Sequence, residues 1–170
     1  MSPTGRPEGE HRSAQHEGTP VSPTGRPEGE HRSAQREGAP LTRIDHLAVW
    51  TGDLDRLAQF YVTYFGATAG ERYTNAAKGF ASRFLTFGDG ARIELMASST
   101  LALAGRAPGE QRLGYTHVAL GVGSEARVDA LTQRLRADGH PVLDGPRRTG
   151  DGYYESVVLD PDGNRVEITV

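Results

Sequence analysis

The chain contains no cysteine among its 170 residues. Disulfide scaffolds, thiolate metal sites and a cysteine nucleophile are therefore excluded, and any bound metal ion must take imidazole and oxygen ligands. No run of about 18 uncharged apolar residues occurs, and the N-terminus lacks the apolar core of a signal peptide. We therefore expect no membrane partner and a cytoplasmic location.

Runs of basic residues are also missing. The chain carries 19 Lys and Arg against 22 Asp and Glu, a net charge of −3. Lys78 is its single lysine. Because charges of both signs are mixed along the chain, the sequence shows no electrostatic footprint for nucleic acid, and we expect no nucleic-acid partner.

Apolar residues are scarce over residues 1–41, where one 20-residue segment occurs twice. The copies, 2–21 and 22–41, differ only at 16/36, 19/39 and 21/41. Each copy is rich in Pro, Gly, Ser, Glu and Arg and has almost nothing to bury, so it cannot offset the entropy lost on ordering. We predict a disordered N-terminal extension over 1–41 and one folded domain over 42–170.

The folded part contains two similar halves. Each half has a His within an apolar segment, at His46 and His117, followed 48 and 50 residues later by Glu94 and Glu167. A His or Glu among β-branched and aliphatic neighbours is costly to bury without a partner. Two His and two Glu in matching positions have a common explanation if they meet around a divalent metal ion. The alternative is that each Glu alternates with apolar residues because it points to solvent.

Both halves are predicted to follow the order β-α-β-β-β. The helices are expected to begin at the N-caps Asp53 and Ser124 and to end at Gly66 and Gly139. The second half is expected to contain a strand near 140–143, a mobile loop over 144–152 and two more strands joined by a turn at 160–163. The predicted fold class is α+β, with modules 42–97 and 114–170 forming a paired, curled mixed sheet around a metal-binding cleft.

These segments carry a resemblance to a known family. The His…Glu…His…Glu order and the ending Asp160-Pro-Asp-Gly-Asn-Arg-Val-Glu-Ile168 resemble the vicinal oxygen chelate superfamily over residues 42–170. That group contains glyoxalase I, fosfomycin- and bleomycin-resistance proteins, extradiol dioxygenases and methylmalonyl-CoA epimerase. Within it, the chain is similar to single-domain bacterial proteins of lactoylglutathione-lyase-like type.

The resemblance implies a ligand set and a reaction. The metal ligands fall on His46, Glu94, His117 and Glu167, and the ion is Ni²⁺, Co²⁺, Mn²⁺, Zn²⁺ or Fe²⁺. The implied activity is a glyoxalase I-like lyase or isomerase acting on a small carbonyl compound, or its thiol adduct, through a metal-bound enediolate. By the same analogy Glu167 is the catalytic base and Glu94 its symmetry-related partner, with plain ligation as the alternative for both. A thiol cosubstrate stays open.

Substrate contacts are expected from the loop 144–155 and from the first half. Two arginines in this loop can hold an anionic group and two tyrosines can close over a ligand; Arg147, Tyr153 and Tyr154 are the candidates. Asn75, Lys78 and Arg83 are candidates from the first half. Ordinary loop and hairpin roles are the alternative for Arg147, Tyr153 and Tyr154.

Two other classes of function stay open because this superfamily uses one scaffold for many reactions. One is a binding protein that sequesters an antibiotic or another small molecule, as in bleomycin resistance. The other is a different metal reaction, an epimerisation or a dioxygenase-like cleavage. A small-molecule substrate and a homodimer are expected, and the sequence does not decide whether the cleft lies within one chain or is shared by two.

Overall fold

The computed structural model describes residues 42–101, 107–111 and 113–170. The predicted disordered extension, 1–41, lies outside the described residues. The first module consists of β1 (His46–Trp50), α1 (Leu54–Phe65), β2 (Thr68–Ala69), β3 (Tyr73–Asn75), a 3₁₀ turn (Ala76–Lys78), β4 (Phe80–Thr86) and β5 (Arg92–Ser98). The second consists of β6 (His117–Gly121), α2 (Glu125–Ala137), β7 (Val142–Arg148), β8 (Tyr154–Leu159) and β9 (Arg165–Thr169). The α+β prediction with two modules is therefore confirmed.

Each module forms its own mixed sheet. The strand order is β1-β5-β4-β2 in the first, with β3 also paired to β4, and β6-β9-β8-β7 in the second. In both sheets the first strand runs parallel to the last, and the remaining pairs are antiparallel. Among the described residues, β1 and β6 pair on one side only, so both sheets are open at the strand that carries the histidine.

The helices begin where their caps predict. Asp53 accepts hydrogen bonds from the backbone N–H groups of Asp55 and Arg56, and Gly66 ends α1 in the left-handed conformation, with φ of +66°. Ser124 accepts from the backbone N–H of Arg127 at the start of α2. Neither helix is long and apolar enough to cross a membrane, and the described residues contain no other α-helix.

The structure has a strand in part of the region that was expected to be the loop 144–152. Residues Val142–Arg148 form β7, and only the residues after Arg148 make the connection to β8. Pro146 has no N–H to give to a ladder, but β7 is the edge strand of its sheet and its pairing with β8 shifts register on either side of Asp144. Proline is accepted at such edges and irregularities. The expectation of a mobile loop over 144–148 is therefore wrong.

The helices cover one face of each sheet. Helix α1 packs on β4 and β5, and α2 packs on β7, β8 and β9. The fully buried aliphatic side chains come from both modules and form one cluster: Leu57, Leu85, Leu95, Val128, Leu135, Val158, Val166 and Ile168. The opposite faces of the two sheets, which carry the histidines, are outside this core.

Helix α1 also joins the two modules. The His140 ring lies 5.0 Å from the ring centroids of both Phe60 and Tyr64, and the Tyr64 hydroxyl donates to Asp138 at 2.9 Å. The Tyr61 hydroxyl lies 3.4 Å from Asp160 in the last turn of the second module. His140 is therefore a packing residue at the junction of the two modules.

The turn at 160–163 is structural, as expected. The buried Asp160 carboxylate accepts from the backbone N–H groups of Asp162 and Asn164 and from the Asn164 amide. Burial raises the pKa of Asp160, against the opposing hydrogen bonds from Asn164. Gly163 has a φ of +81°, and a Cβ there would lie 3.0 Å from Pro108 Cα, so glycine is required for the connecting segment to pack against the turn.

Candidate functional site

The first histidine and glutamate lie on neighbouring strands of one sheet. In the parallel pair β1–β5, His46 is opposite Arg92 and Ala48 is opposite Glu94. Side chains two residues apart on a strand share a face, so His46 and Glu94 project from the side away from α1. His46 Nε2 lies 3.8 Å from Glu94 Oε2. We call these two residues the first half-site.

The second module repeats this geometry. His117 is opposite Arg165 and Ala119 is opposite Glu167 in the parallel pair β6–β9, and His117 Nε2 lies 3.4 Å from Glu167 Oε2. The two histidine side chains are 38% and 39% exposed and the two glutamates 17% and 16%. We call His117 and Glu167 the second half-site.

The Nδ1 atoms of the two histidines have different partners. His46 Nδ1 lies 2.9 Å from Asp45 Oδ2, and the same oxygen accepts from Arg92 at 2.5 Å. These two hydrogen bonds lower the pKa of the Asp45 carboxyl. His117 Nδ1 is instead 3.0 Å from the hydroxyl of Thr116. Both Nδ1 atoms are engaged, so in each ring Nε2 is the nitrogen that faces the glutamate.

The structure brings the four predicted ligands together as two pairs. No group of three or more His, Asp or Glu side chains within the described part of the chain is close enough to hold one metal ion. The sequence left open whether the cleft lies within one chain or between two. A complete four-ligand centre within one chain is not what this arrangement shows.

A further carboxylate lies near the second half-site. Glu155 is diagonally opposite Glu167 in the pair β8–β9 and projects from the same face. Burial raises the pKa of Glu155, as does the nearby charge of Glu167, and the charge of Arg147 opposes this shift. Arg147 lies 3.6 Å from Glu155 and is held by Asp144 through contacts of 2.7 Å.

Two of the predicted substrate contacts are on the face with the half-sites or close to it. Arg147 is opposite Glu155 in the ladder β7–β8 and therefore shares its face. Tyr153 precedes β8 and is 60% exposed. Asn75 is committed to the backbone, because its side chain caps the 3₁₀ turn by accepting from the Lys78 N–H.

Two other predicted contacts lie on the helix side of their sheets. The Tyr154 hydroxyl donates to Asp129 of α2 at 2.7 Å, and Arg83 pairs with Asp55 of α1 at 3.4 Å. Strand alternation explains both, since Tyr154 follows Tyr153 and precedes Glu155, and Arg83 precedes Phe84, the residue opposite Glu94. Tyr154 and Arg83 are therefore not placed to contact a ligand held by the half-sites.

Sequence reasoning missed several residues beside the half-sites. Asp45 and Thr116 carry oxygen atoms directly before each histidine, a repeated signal that was present in the sequence. Phe84, whose ring lies 5.4 Å from that of His46 in an edge-to-face arrangement, and Glu155 carried no such signal. Their positions depend on strand register, which residue types alone do not determine.

The donor set fits a divalent first-row metal ion. Imidazole nitrogens suit Zn, Ni and Fe, and carboxylates complete such sites in octahedral or mixed geometries. Each half-site offers one Nε2 and one carboxylate on the open face of its sheet, and each histidine has a hydrogen-bond partner on its other nitrogen, as metal-ligating histidines have.

Comparisons with known proteins agree with the fold. Residues 43–168 match the family described as Glyoxalase/Bleomycin resistance protein/Dioxygenase superfamily. A probable lactoylglutathione lyase of Vibrio cholerae is 31% identical over 131 residues, which cover 74% of this chain and 88% of that protein.

Solved structures share the same architecture. The trypanothione-dependent glyoxalase I of Leishmania major has a TM-score of 0.60 at 24% identity, covering 75% of this chain and 86% of that one. A glyoxylase/bleomycin resistance protein/dioxygenase domain from Frankia sp. EAN1pec has a TM-score of 0.65 at 18% identity, covering 77% and 98%. At these identities the likeness extends to the fold alone.

Proposed function

Because the chain belongs to the glyoxalase/bleomycin resistance protein/dioxygenase superfamily, we propose that it is a divalent-metal-dependent lyase or isomerase of glyoxalase I type. Its substrate would be a small carbonyl compound or the thiol adduct of one. The observation that carries this proposal is the pair of half-sites, in each of which a histidine Nε2 faces a glutamate oxygen on an open sheet face. The name of the Vibrio cholerae relative supports the reaction type.

The ligands of the metal ion would be His46, Glu94, His117 and Glu167. A bound Ni²⁺, Co²⁺, Mn²⁺, Zn²⁺ or Fe²⁺ ion would polarise the substrate carbonyl and stabilise negative charge on its oxygen. Glu167 would take the proton from the carbon next to the carbonyl, since a positioned carboxylate is a competent general base. Glu155 places a second carboxylate near Glu167, whereas the uncharged Ser82 has the corresponding position beside Glu94.

We also propose that two copies of the chain complete the site. Helix α1 holds the two modules together on their covered sides, and the half-sites lie on the other sides, next to the unpaired edges of β1 and β6. An unpaired strand edge is a template for pairing with another chain. In a twofold dimer the first half-site of each copy would meet the second half-site of the other, giving two equivalent centres.

Arg147 is the proposed contact for an anionic group of the substrate. Its guanidinium is fixed by Asp144 on the face that carries Glu167. Arginine binds carboxylates through two parallel hydrogen bonds, which fixes the orientation of the bound group. This position is compatible with a thiol adduct that carries a carboxylate.

The deciding experiment combines two inactive variants of the full chain. One carries His46→Ala and Glu94→Gln, and the other carries His117→Ala and Glu167→Gln. Each is loaded with Ni²⁺, Co²⁺, Mn²⁺, Zn²⁺ or Fe²⁺ and assayed alone and after mixing, with hemithioacetals of methylglyoxal and several thiols as substrates.

Mixing should restore activity if the centre is shared. Random reassortment makes half of the dimers mixed, and each mixed dimer has one intact centre of two, so about a quarter of the wild-type activity should return. Metal-dependent activity in the wild type without recovery on mixing would contradict the shared centre. Metal binding that neither double variant weakens would contradict the proposed ligands. Ligand binding without turnover would favour a sequestering protein.

A further inference from the structure

The Asp45 carboxylate fixes the state of the His46 ring. Arg92 anchors Asp45 Oδ2 at 2.5 Å, and His46 Nδ1 lies 2.9 Å from the same oxygen. An ionised carboxylate only accepts hydrogen bonds. In the neutral imidazole, His46 Nδ1 must therefore carry the hydrogen, which leaves the lone pair on Nε2, the atom turned toward Glu94.

The orientation of this ring is also fixed. The Phe84 ring meets the His46 ring edge to face at 5.4 Å, and the Arg92 guanidinium lies over the same Phe84 ring at 4.4 Å. Arg92 thus contacts both the residue that holds Nδ1 and the ring that packs beside the imidazole. The first half-site is organised before any ligand arrives.

Among the residues that the structure describes, the second half-site has no equivalent of this arrangement. A threonine hydroxyl is both a donor and an acceptor, so Thr116 accepts from or donates to His117 Nδ1 equally well and selects neither tautomer. Arg165, which occupies the place of Arg92, donates from Nε to the Gly109 carbonyl oxygen. The two modules therefore carry the same His–Glu pair, but only in the first does the partner of Nδ1 select one histidine tautomer.

We propose that Asp45 is a positioning residue that sets His46 as an Nε2 ligand and makes the first half-site the tighter of the two for a divalent metal ion. The unequal affinity rests on the metal site proposed above, whereas the tautomer of His46 does not. A hydrogen-bonded carboxylate behind a ligating histidine fixes its tautomer and increases its basicity.

The first test is ¹⁵N NMR of the histidine rings in the metal-free full chain above about pH 8, well above the usual histidine pKa of about 6.5. His46, assigned with a His46→Gln variant, should show an unprotonated Nε2. Asp45→Asn should remove this preference, because an amide offers both a donor and an acceptor. Asp89→Asn, in the neighbouring turn, is the control for loss of one carboxylate. A protonated Nε2 in the wild type would overturn the proposal.

The second test measures Zn²⁺ and Ni²⁺ affinity of each half-site by competition titration. All variants also carry His11→Gln, His16→Gln and His31→Gln, so that these three histidines do not compete for the metal ion. The variant His117→Ala/Glu167→Gln keeps the first half-site and should bind more tightly than His46→Ala/Glu94→Gln. Adding Asp45→Asn should weaken the first half-site by about tenfold, and adding Thr116→Asp should tighten the second.

The outcomes separate this inference from the proposed function. Equal affinities, or no effect of Asp45→Asn, would overturn the positioning role while the metal site stands. If the wild type bound no metal ion, the proposed function and the ligand role of His46 would both fall, although the NMR result would still report the tautomer.

Discussion

At the scale of single residues, the two proposed glutamate ligands, Glu94 and Glu167, differ in their neighbours. Glu155 lies on the face of Glu167, diagonally across the pair β8–β9, and its pKa is raised partly by the charge of Glu167. The corresponding residue beside Glu94 is Ser82, which is uncharged and opposite Met96. Like charges disfavour each other. The neighbouring carboxylate of Glu155 therefore distinguishes Glu167 from Glu94, and it supports the analogy by which Glu167 is proposed as the base.

Glutamine substitutions test this difference. With the adduct that is turned over, Glu167→Gln should lower kcat by a factor on the order of 10² to 10⁴, the usual contribution of a general base. Glu94→Gln should mainly weaken metal binding, with a smaller loss of kcat at saturating metal. Steady-state kinetics combined with metal titration separates the two effects. A larger loss of kcat in Glu94→Gln than in Glu167→Gln would assign the base to Glu94.

Asp160 gives a pH prediction. Its pKa is raised by burial, so the folded protein holds this proton more tightly than the unfolded chain. Ionisation of Asp160 therefore opposes folding at neutral pH. This destabilisation disappears as the pH falls to the pKa that Asp160 has in the unfolded chain. Relative to Asp160→Asn, which cannot titrate, the wild type should gain stability between about pH 7 and about pH 4. Urea unfolding across this range measures the difference.

The comparison with Asp160→Asn cancels the titration of all groups common to both proteins. Asp89→Asn, which removes a carboxylate from an exposed turn, serves as the control. A difference between the wild type and Asp160→Asn that stayed constant with pH would contradict the assigned direction.

At the scale of secondary-structure elements, the sequence predicted the features that depend on local residues but not those that depend on strand register. The helices were predicted because their signals are local: Asp53 and Ser124 cap their own first turns. The predicted strand near 140–143 was too short, and most of β7 was assigned to a loop because Gly145-Pro146 is typical of one. The proline is accommodated because β7 lies at the sheet edge and its pairing with β8 is irregular. The sequence also did not show that Arg83 and Tyr154 lie on the helix sides of their sheets, because a shift of one residue in register reverses every side chain.

Gly145 is the residue on which the β7–β8 pairing depends. Its φ is +76°, and a Cβ there would lie 2.5 Å from the Glu155 carbonyl oxygen and 2.9 Å from Ser156 Cα. Gly145→Ala should therefore destabilise the fold by about 3 kcal/mol and displace Arg147 from Glu155. Gly150→Ala is the matched control, since nothing lies within 4 Å of its Cβ, and it should change stability by about 0.5 kcal/mol or less. Equal midpoints of denaturant unfolding would contradict this role.

At the scale of the whole molecule, one arrangement explains both the core and the open faces. The modules share a single hydrophobic cluster on their helix sides, so folding of one chain is completed without using the half-site faces. The duplicated His–Glu pattern was therefore enough to predict that each histidine belongs with one glutamate, but not how the two pairs would meet. The way the pairs meet depends on which sides of the two modules contact each other. Residues such as Tyr61 and Tyr64 of α1 make these contacts, but in the sequence they resemble ordinary core positions.

If two chains share each centre, metal binding and dimerisation must be linked. A ligand that binds only the dimer stabilises it by RT ln(1 + [L]/Kd), about 2.7 kcal/mol per site at a hundredfold excess over Kd. Sedimentation velocity should therefore show that Ni²⁺ or Zn²⁺ lowers the dimer dissociation constant of the wild type by about a hundredfold per occupied site, and that EDTA reverses this. The control is His46→Ala, which removes a ligand but leaves the strand edges unchanged, and its association should no longer respond to the metal ion. An identical dissociation constant with and without the ion in the wild type would show that each centre is assembled without the second chain.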